Sequence, residues 1–298
     1  MSVKIFWQPS GFELDSLKDK RLVNISDGDT PNIRMNVRML SIDTPETGTM
    51  RLKAAEIDDD FNALAGWIET DASPVDAALA AHLRPRLARP RAASLHREQG
   101  AAAKAEFQRQ VDERLTRPSG STRSLFVRAA DERFDGYGRL LAYVAPSYSP
   151  EERETMTRRD RATFNLTLVE SGWAASFVIY PSIPGERDLP LLVESARTAV
   201  QEERGAWGDD LMLTGYEYRM CCKLVPVMRK IQAGRRLDGA ARTGWIERYC
   251  VDVSTAELHG PQGYVAVAPW NRLFLWPKDV RRAVADLNLV PAPGLVGA

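Results

Sequence analysis

Short runs of alternating apolar and polar residues predict strands in the first part of the chain. Val3–Trp7, Arg21–Ile25 and the stretch from Ile33 to Leu40 show this period-two pattern, which is typical of half-buried strands. Two turns bracket the third run, D-G-D-T at 27–30 and D-T-P-E at 43–46. Glycine accepts positive φ, and proline presets its own φ and favours an extended residue before it. The sequence therefore predicts a β-rich segment with two acidic turns.

Helical spacing of apolar residues follows the second acidic turn. Residues 63–68 predict one helix and residues 74–87 another, although the prolines of the arginine-rich segment 84–91 argue against a long regular helix there. The clustered arginines of that segment suit either phosphate contacts or a solvated loop. Further elements are predicted as a helix at 100–115, strands at 124–128 and 139–144, and helical segments at 164–172 and 191–203.

The character of the sequence changes after Gly208. A helix-compatible stretch at 216–231 precedes strand candidates at 245–253, 263–267 and 272–276 and a last helix at 278–288. We therefore predict a domain over residues 1–208, with an insertion at about 48–97, and a small α+β module over residues 209–298. The aromatic and basic residues of this module would suit contacts with nucleic acid or another partner, but they suit an ordinary core and surface better.

Composition limits the cellular compartment and the classes of partner that we expect for this protein. The 298 residues carry a formal net charge of zero, so any basic surface that attracts nucleic acid must be local. No apolar run is long enough to span a bilayer, and the N-terminus shows no signal peptide. The three cysteines lack metal-ligand spacing, and their odd number suits a reducing compartment. We expect a cytoplasmic protein that does not interact with membranes.

The two acidic turns hold the first candidate functional residues. Asp29, Asp43 and Glu46 could present oxygen ligands to a hard cation, with Arg38 close by. Strict alternation would place Arg38 and Asp43 on opposite strand faces, so the two can meet only if the strand ends near Ile42. Taken alone, an acidic turn with one arginine is most often solvated surface.

Taken together, the motifs resemble the staphylococcal nuclease (thermonuclease) family. The resemblance covers about residues 20–208 without the insertion, and it rests on several short motifs that occur in the order of the family. These motifs are D-G-D-T at 27–30, R-M-L-S-I-D-T-P-E at 38–46, the helix at 100–115, D-G-Y-G-R-L-L-A-Y at 135–143, N-L-T-L-V-E-S-G-W-A at 165–174, and the closing Gly205–Trp207.

The resemblance implies a five-stranded OB-type β-barrel with packed helices, and hydrolysis of phosphodiester bonds in DNA and probably RNA with Ca²⁺. Among the residues that it marks, Asp29 and Asp43 would bind calcium with the main-chain carbonyl of Thr44. Glu46 would activate the attacking water. Arg38 and Arg139 would hold the phosphate, and Tyr137 and Tyr180 would lie beside the substrate.

The chemistry of phosphodiester hydrolysis agrees with these roles. The substrate is an anion, so cations and guanidinium groups must neutralise the charge that develops on its oxygens. Arginine suits this task because its planar fork makes two parallel bonds. Two alternatives remain: a nucleic-acid-binding OB module without catalysis, and a scaffold that recruits partners through residues 209–298. The complete set of Asp29, Arg38, Asp43, Glu46 and Arg139 favours a nuclease over both.

Overall fold

The computed structural model describes residues 20–48 and 53–295 of the chain, and these residues form an α+β structure. The predicted strand Val3–Trp7 lies outside the described residues. Twelve strands occur in the described part of the chain, in the order β1 Arg21–Ile25, β2 Pro31–Arg34, β3 Val37–Met39, β4 Ile42–Asp43, β5 Leu125–Phe134, β6 Leu140–Pro146, β7 Ala175–Ser176, β8 Val178–Ile179, β9 Tyr249–Asp252, β10 Glu257–His259, β11 Arg272–Leu275 and β12 Val290–Pro291.

Helices surround these strands, and most of them were predicted from apolar spacing. The helix predicted at 100–115 begins eight residues earlier, at Ala92. Pro85 lies inside a regular helix, whereas Pro90 falls between that helix and the next. The helices of the described residues are α1 Ala54–Trp67, α2 Ala77–Ala88, α3 Ala92–Leu115, α4 Pro150–Thr155, α5 Phe164–Glu170, α6 Asp188–Gln201, α7 Gly215–Gln232, α8 Gly239–Thr243 and α9 Val280–Leu287.

The strands form four small sheets. β1 and β2 pair only with each other, β4 pairs with β7, and β3, β6 and β5 form a three-stranded sheet in that order. Within the described residues these pairings do not close into the expected five-stranded barrel. The long run predicted from Ile33 to Leu40 is broken into β2 and β3, with unpaired residues between them.

The segment after Gly208 joins the rest of the chain through a sheet. β12, β10, β9, β11 and β8 form a five-stranded sheet. β11 runs parallel to β8, with Leu273 opposite Val178. The prediction of a strand at 263–267 is wrong, because Gly263–Ala266 forms a short 3₁₀ helix.

A large core is shared by the predicted insertion and the C-terminal segment. Phe61 of α1 and Leu83 of α2 are fully buried together with Tyr218 and Leu224 of α7. Burial of such side chains contributes about 1.5–3 kcal/mol each. The helices within residues 53–97 therefore pack into the protein and hold α7 in place. None of the helices in the described ranges is long and apolar enough to cross a membrane.

Candidate functional site

A sharp turn after β3 brings Arg38 and Asp43 together. β3 ends at Met39, and Ser41 takes a left-handed φ of 61° before β4 begins at Ile42. This turn breaks the alternation that would have placed the two side chains on opposite faces. The Arg38 Nη2 atom donates to the Asp43 carboxylate at 3.0 Å and to the carbonyl oxygen of Ile42 at 3.3 Å.

Helix α3 holds the main chain beyond Asp43 through two residues one turn apart. The Nε2 atom of His96 accepts a hydrogen bond of 2.8 Å from the N–H of Glu46, so Nδ1 carries the proton and donates to the carbonyl oxygen of Leu213 at 3.1 Å. Burial lowers the pKa of His96 to about 4, which keeps the ring neutral. Gly100 lets α3 approach closely, because an added Cβ would lie 2.6 Å from the Glu46 carbonyl oxygen.

Helix α7 covers the other side of the same turn. Thr214 caps this helix by accepting the N–H of Glu217. A Cβ on Gly215, its first residue, would lie 2.5 Å from the carbonyl oxygen of Thr44 and 2.6 Å from Asp43 Oδ2. The chain from Asp43 to Glu46 is therefore clamped between α3 and α7.

Arg219, one turn further along α7, binds both acidic side chains of this turn. Its Nη2 atom lies 3.0 Å from each carboxylate oxygen of Asp43, and its Nη1 atom donates to Glu46 Oε1. Asp43 is only 1% exposed. Burial opposes the charge of Arg219, but the two carboxylates outweigh it and raise the pKa of the guanidinium.

A cavity of about 680 Å³ opens beside this cluster, and residues from distant segments line it. Arg38 and Glu46 come from the first turn, and Tyr137 and Arg139 come from the turn between β5 and β6. Tyr180 follows β8. The residues that line the opposite wall come from beyond Gly208 and are Tyr216, Arg219, Met220, Lys223, Trp245, Arg248 and Trp276.

The turn before β6 presents Arg139 to the cavity. Asp135 accepts the N–H groups of Tyr137 and Arg139 at 2.9 and 3.0 Å, and it accepts the Arg139 Nε atom at 2.6 Å. Burial alone would raise the pKa of Asp135, but these hydrogen bonds outweigh it and hold the pKa below its ordinary value. The guanidinium lies 5.3 Å from the ring of Tyr137, which is 79% exposed at the rim.

Comparison with known protein families gives a match for this chain. The family model described as "Staphylococcal nuclease homologue" matches residues 36–209, which is more than half of the chain. The chain belongs to the staphylococcal nuclease family. No curated protein matches the chain. The family suggests a nuclease or another function that involves nucleic acid.

The family match covers only some of the residues that line the cavity. Arg38, Asp43, Glu46 and Arg139 lie within the matched residues, as do the helices of the predicted insertion. Arg219 lies beyond the match, like the rest of α7. One wall of the cavity is thus formed by the nuclease-family part of the chain and the other by the C-terminal segment.

Two of the predicted site residues, Asp29 and Tyr180, have surroundings that differ from those that the resemblance implies. Asp29 lies on the exposed turn between β1 and β2, where its carboxylate accepts the Thr30 hydroxyl at 3.1 Å, and it does not line the cavity. Tyr180 lines the cavity with its side chain largely buried, and its hydroxyl donates to Asp286 of α9. The structure brings Arg38, Asp43, Glu46 and Arg139 to one place, and it leaves Asp29 outside.

The oxygen atoms near the cavity do not form a calcium site in this arrangement. No three or more His, Cys, Asp or Glu side chains within residues 20–48 and 53–295 converge in a way that could hold a metal ion. Both carboxylate oxygens of Asp43 bind Arg219, and Glu46 Oε1 binds the same guanidinium. Calcium takes six to eight oxygen ligands, so these donors do not fit it while Arg219 is in place.

Arg248 is a partly buried cation on the C-terminal wall. Its guanidinium lies 4.1 Å from the ring of Trp276 and within 5.6 Å of the rings of Phe177 and Tyr216. Burial lowers its pKa, yet an arginine stays protonated in a protein. Its Nε atom is buried without a hydrogen-bond partner, and no described carboxylate lies within 4 Å of its guanidinium nitrogens.

The arginines of the segment 84–91 bind groups of the protein. Arg89 pairs with Asp209, and Arg86 donates to the carbonyl oxygens of Asp210 and Met212. These contacts tie α2 to the segment that leads into α7. Arg84 and Arg91 form exposed pairs with glutamates.

Sequence reasoning did not find several residues of the site. Arg219 and Arg248 fall in segments whose periodicity predicts only a helix and a strand, and no local motif marks them. His96 and Gly100 lie four residues apart, which places them on one helix face, but the turn that they contact is far away in the sequence. Only the three-dimensional arrangement links these residues to Asp43 and Glu46.

Proposed function

We propose that the chain is a nuclease that hydrolyses phosphodiester bonds of DNA or RNA in this cavity. The observation that carries the proposal is the meeting of Arg38, Glu46 and Arg139 along one cavity in a member of the staphylococcal nuclease family. Arg38 and Glu46 come from one turn near the start of the described chain, and Arg139 comes from the turn between β5 and β6. They are the acid–base group and the two phosphate-binding groups that such a reaction requires.

In this proposal Arg38 and Arg139 bind the non-bridging oxygens of the phosphate. Arginine forks neutralise the charge that develops in the transition state. Glu46 orients and deprotonates the attacking water. Its Oε1 atom is held by Arg219, and the side chain remains 30% exposed, so Oε2 is the oxygen that would accept the proton. Tyr137 at the rim offers a ring on which a base can stack.

Calcium is the cation that the family resemblance implies. The donors around Asp43 and Glu46 do not fit it while Arg219 binds them. The expected OB-type barrel belongs to the proposal as well. It is supported by the β3–β6–β5 sheet and by α5, whose Asn165 donates to the carbonyl oxygen of Leu40 at 2.9 Å.

A second candidate function is the binding of a nucleic-acid strand without cleavage. The ion pair between Arg219 and Glu46 favours it, because Arg219 occupies one carboxylate oxygen of Glu46 and leaves only the other to position a water. A cleavage assay together with a binding assay separates the two candidates.

The test uses labelled single-stranded and duplex DNA and RNA, with calcium or with a chelator. We expect the wild-type chain to cleave at least one substrate and Glu46→Gln to be slower by a factor of about 10²–10⁴. Glu98→Gln, an exposed glutamate of α3 paired with Arg91, is the matched control and should keep the wild-type rate. Binding without cleavage supports the second candidate. A wild-type chain that neither binds nor cleaves any substrate refutes both.

A further inference from the structure

We propose that Arg219 takes the place of a divalent cation in this site, so that the cavity binds a phosphodiester strand without calcium. The inference rests on the proposed function, since it concerns how the same cavity receives its nucleic acid. It assigns a role to α7 and to the segment beyond Gly208, which the family match does not cover. That segment would then be part of the nucleic-acid site.

Arg38 and Arg219 neutralise the charge of the acidic turn. A cation between Asp43 and Glu46 must neutralise two carboxylates that would otherwise repel a phosphate. Arg38 and Arg219 supply two positive charges to these two groups in the present arrangement. In the pair Asp43–Arg219 the carboxylate is 1% exposed and the arginine side chain 31% exposed, and partly buried pairs of this kind are screened less by salt than exposed ones.

Helix α7 also leaves little space for an ion beside this turn. Helix α7 begins directly on this turn, and even a Cβ on Gly215 would clash with Asp43 Oδ2 and with the carbonyl oxygen of Thr44. Two of the oxygen atoms that the resemblance assigns to calcium, Asp43 Oδ2 and the Thr44 carbonyl oxygen, are therefore covered by the backbone of α7. A hydrated ion could reach them only if α7 moved away. Since α7 shares a core with α1 and α2 through Tyr218 and Leu224, such a movement would break that core.

The C-terminal wall of the cavity carries a surplus of positive charge. Lys223 and Arg248 line the cavity, and neither forms an ion pair with a carboxylate of the described residues. A guanidinium held between aromatic rings without a carboxylate is poised to bind an anion. With Arg139, these side chains provide a phosphate-binding surface that does not depend on a bound ion.

Calcium binding by the wild-type chain is the first part of the test, measured by isothermal titration calorimetry on the purified full-length protein. We expect no saturable binding at millimolar calcium. The second part is fluorescence anisotropy with a labelled phosphorothioate DNA strand, which resists cleavage, in calcium and in chelator. We expect the same affinity in both buffers.

Variants of one helix complete the test. Arg219→Gln should weaken binding of the strand in chelator about tenfold or more, whereas Arg229→Gln, an exposed position of α7 that pairs with Asp60, should not change it. Unchanged strand binding by a folded Arg219→Gln protein overturns the inference. If this variant does not fold, the wild-type measurements decide alone.

The same measurements separate the role of Arg219 from the proposed function of the cavity. A wild-type chain that binds the strand only in calcium, with saturable calcium binding, leaves the proposed function intact and overturns the role of Arg219. A wild-type chain that binds no strand in either buffer contradicts both.

Discussion

The Arg219 Nη2 atom lies 3.0 Å from both carboxylate oxygens of Asp43, although 176 residues separate the two in the sequence. This contact joins the family domain to helix α7, and it places a guanidinium between Asp43 and Glu46. Stability, nucleic-acid binding and metal independence should therefore all depend on it.

A double-mutant cycle measures this contact directly. Removing one partner of a buried pair typically costs about 3–5 kcal/mol, so Asp43→Asn and Arg219→Gln should each lower the free energy of unfolding markedly. The double variant should lose less than the sum of the two, because the charge left unpaired is gone. Unfolding in urea provides the measurement, and the Asp60–Arg229 pair is the control. An exposed pair of this kind contributes about 0.2–1 kcal/mol. Equal coupling in both pairs would contradict the account.

His96 should make the protein less stable below neutral pH. Its pKa is about 4 in the folded protein and about 6.5 in the unfolded chain. The unfolded state therefore binds more protons between these values, and stability falls as the pH is lowered through this window. The free energy of unfolding should decrease by about 2 kcal/mol between pH 7 and pH 5 from this group.

His96→Gln should remove this pH dependence. Glu217, whose pKa hydrogen bonds and charged neighbours hold at about 2 against the effect of burial, contributes only at lower pH. Urea unfolding of the wild-type and His96→Gln proteins at several pH values measures how steeply the free energy of unfolding of each depends on pH. A decrease in the His96→Gln protein as steep as in the wild-type protein would show that another group is responsible.

Gly100 should not tolerate a side chain. The added methyl group of Gly100→Ala would overlap the Glu46 carbonyl oxygen, so we expect destabilisation of about 1–3 kcal/mol and displacement of Glu46. Gly66→Ala in α1 is the matched control, since no atom lies within 4 Å of its added Cβ and alanine favours a helix. It should stabilise the protein by about 0.5–1 kcal/mol. Thermal or urea unfolding measures both, and equal effects would contradict the close packing of α3.

Arg248 should contribute one phosphate contact. Arg248→Gln should weaken binding of a DNA strand about tenfold and reduce the dependence of log K on log salt concentration by about one unit, as expected for the loss of one phosphate contact. Arg281→Gln, an exposed position on α9 that does not line the cavity, is the control. Anisotropy titrations at several salt concentrations measure both the affinity and the salt slope. An unchanged slope would assign Arg248 to packing alone.

The sequence predicts well what short-range rules determine. The strands β5 and β6, the helices α3, α5 and α6, and the family itself follow from periodicity and from motifs in order. The sequence allows Arg38 and Asp43 to meet only on the condition that the strand ends near Ile42, and it does not show where the strand ends. The left-handed Ser41, which meets that condition, has no signal in the residues around it.

The rest of the site depends on long-range packing that local patterns do not encode. Asp29 lies in a motif that resembles the family, but the family match begins at residue 36 and β1 and β2 pair only with each other, so the motif alone could not place it. Arg219 lies in an ordinary amphipathic helix. Its role arises because the cores of α1, α2 and α7 are joined and bring α7 onto the acidic turn. Likewise, the pairing of β11 with β8 could not be read from either strand.

The most direct measurement of the central claim is photo-crosslinking of a strand that contains 4-thiothymidine, followed by mapping of the crosslinked peptides. If the nucleic acid lies between the two walls of the cavity, crosslinks should fall on Tyr137 of the family domain and on Trp276 of the C-terminal segment. Phe126, an exposed aromatic residue of β5 that does not line this cavity, should remain unmodified. Crosslinks at Phe126 without crosslinks at Tyr137 or Trp276 would contradict the account.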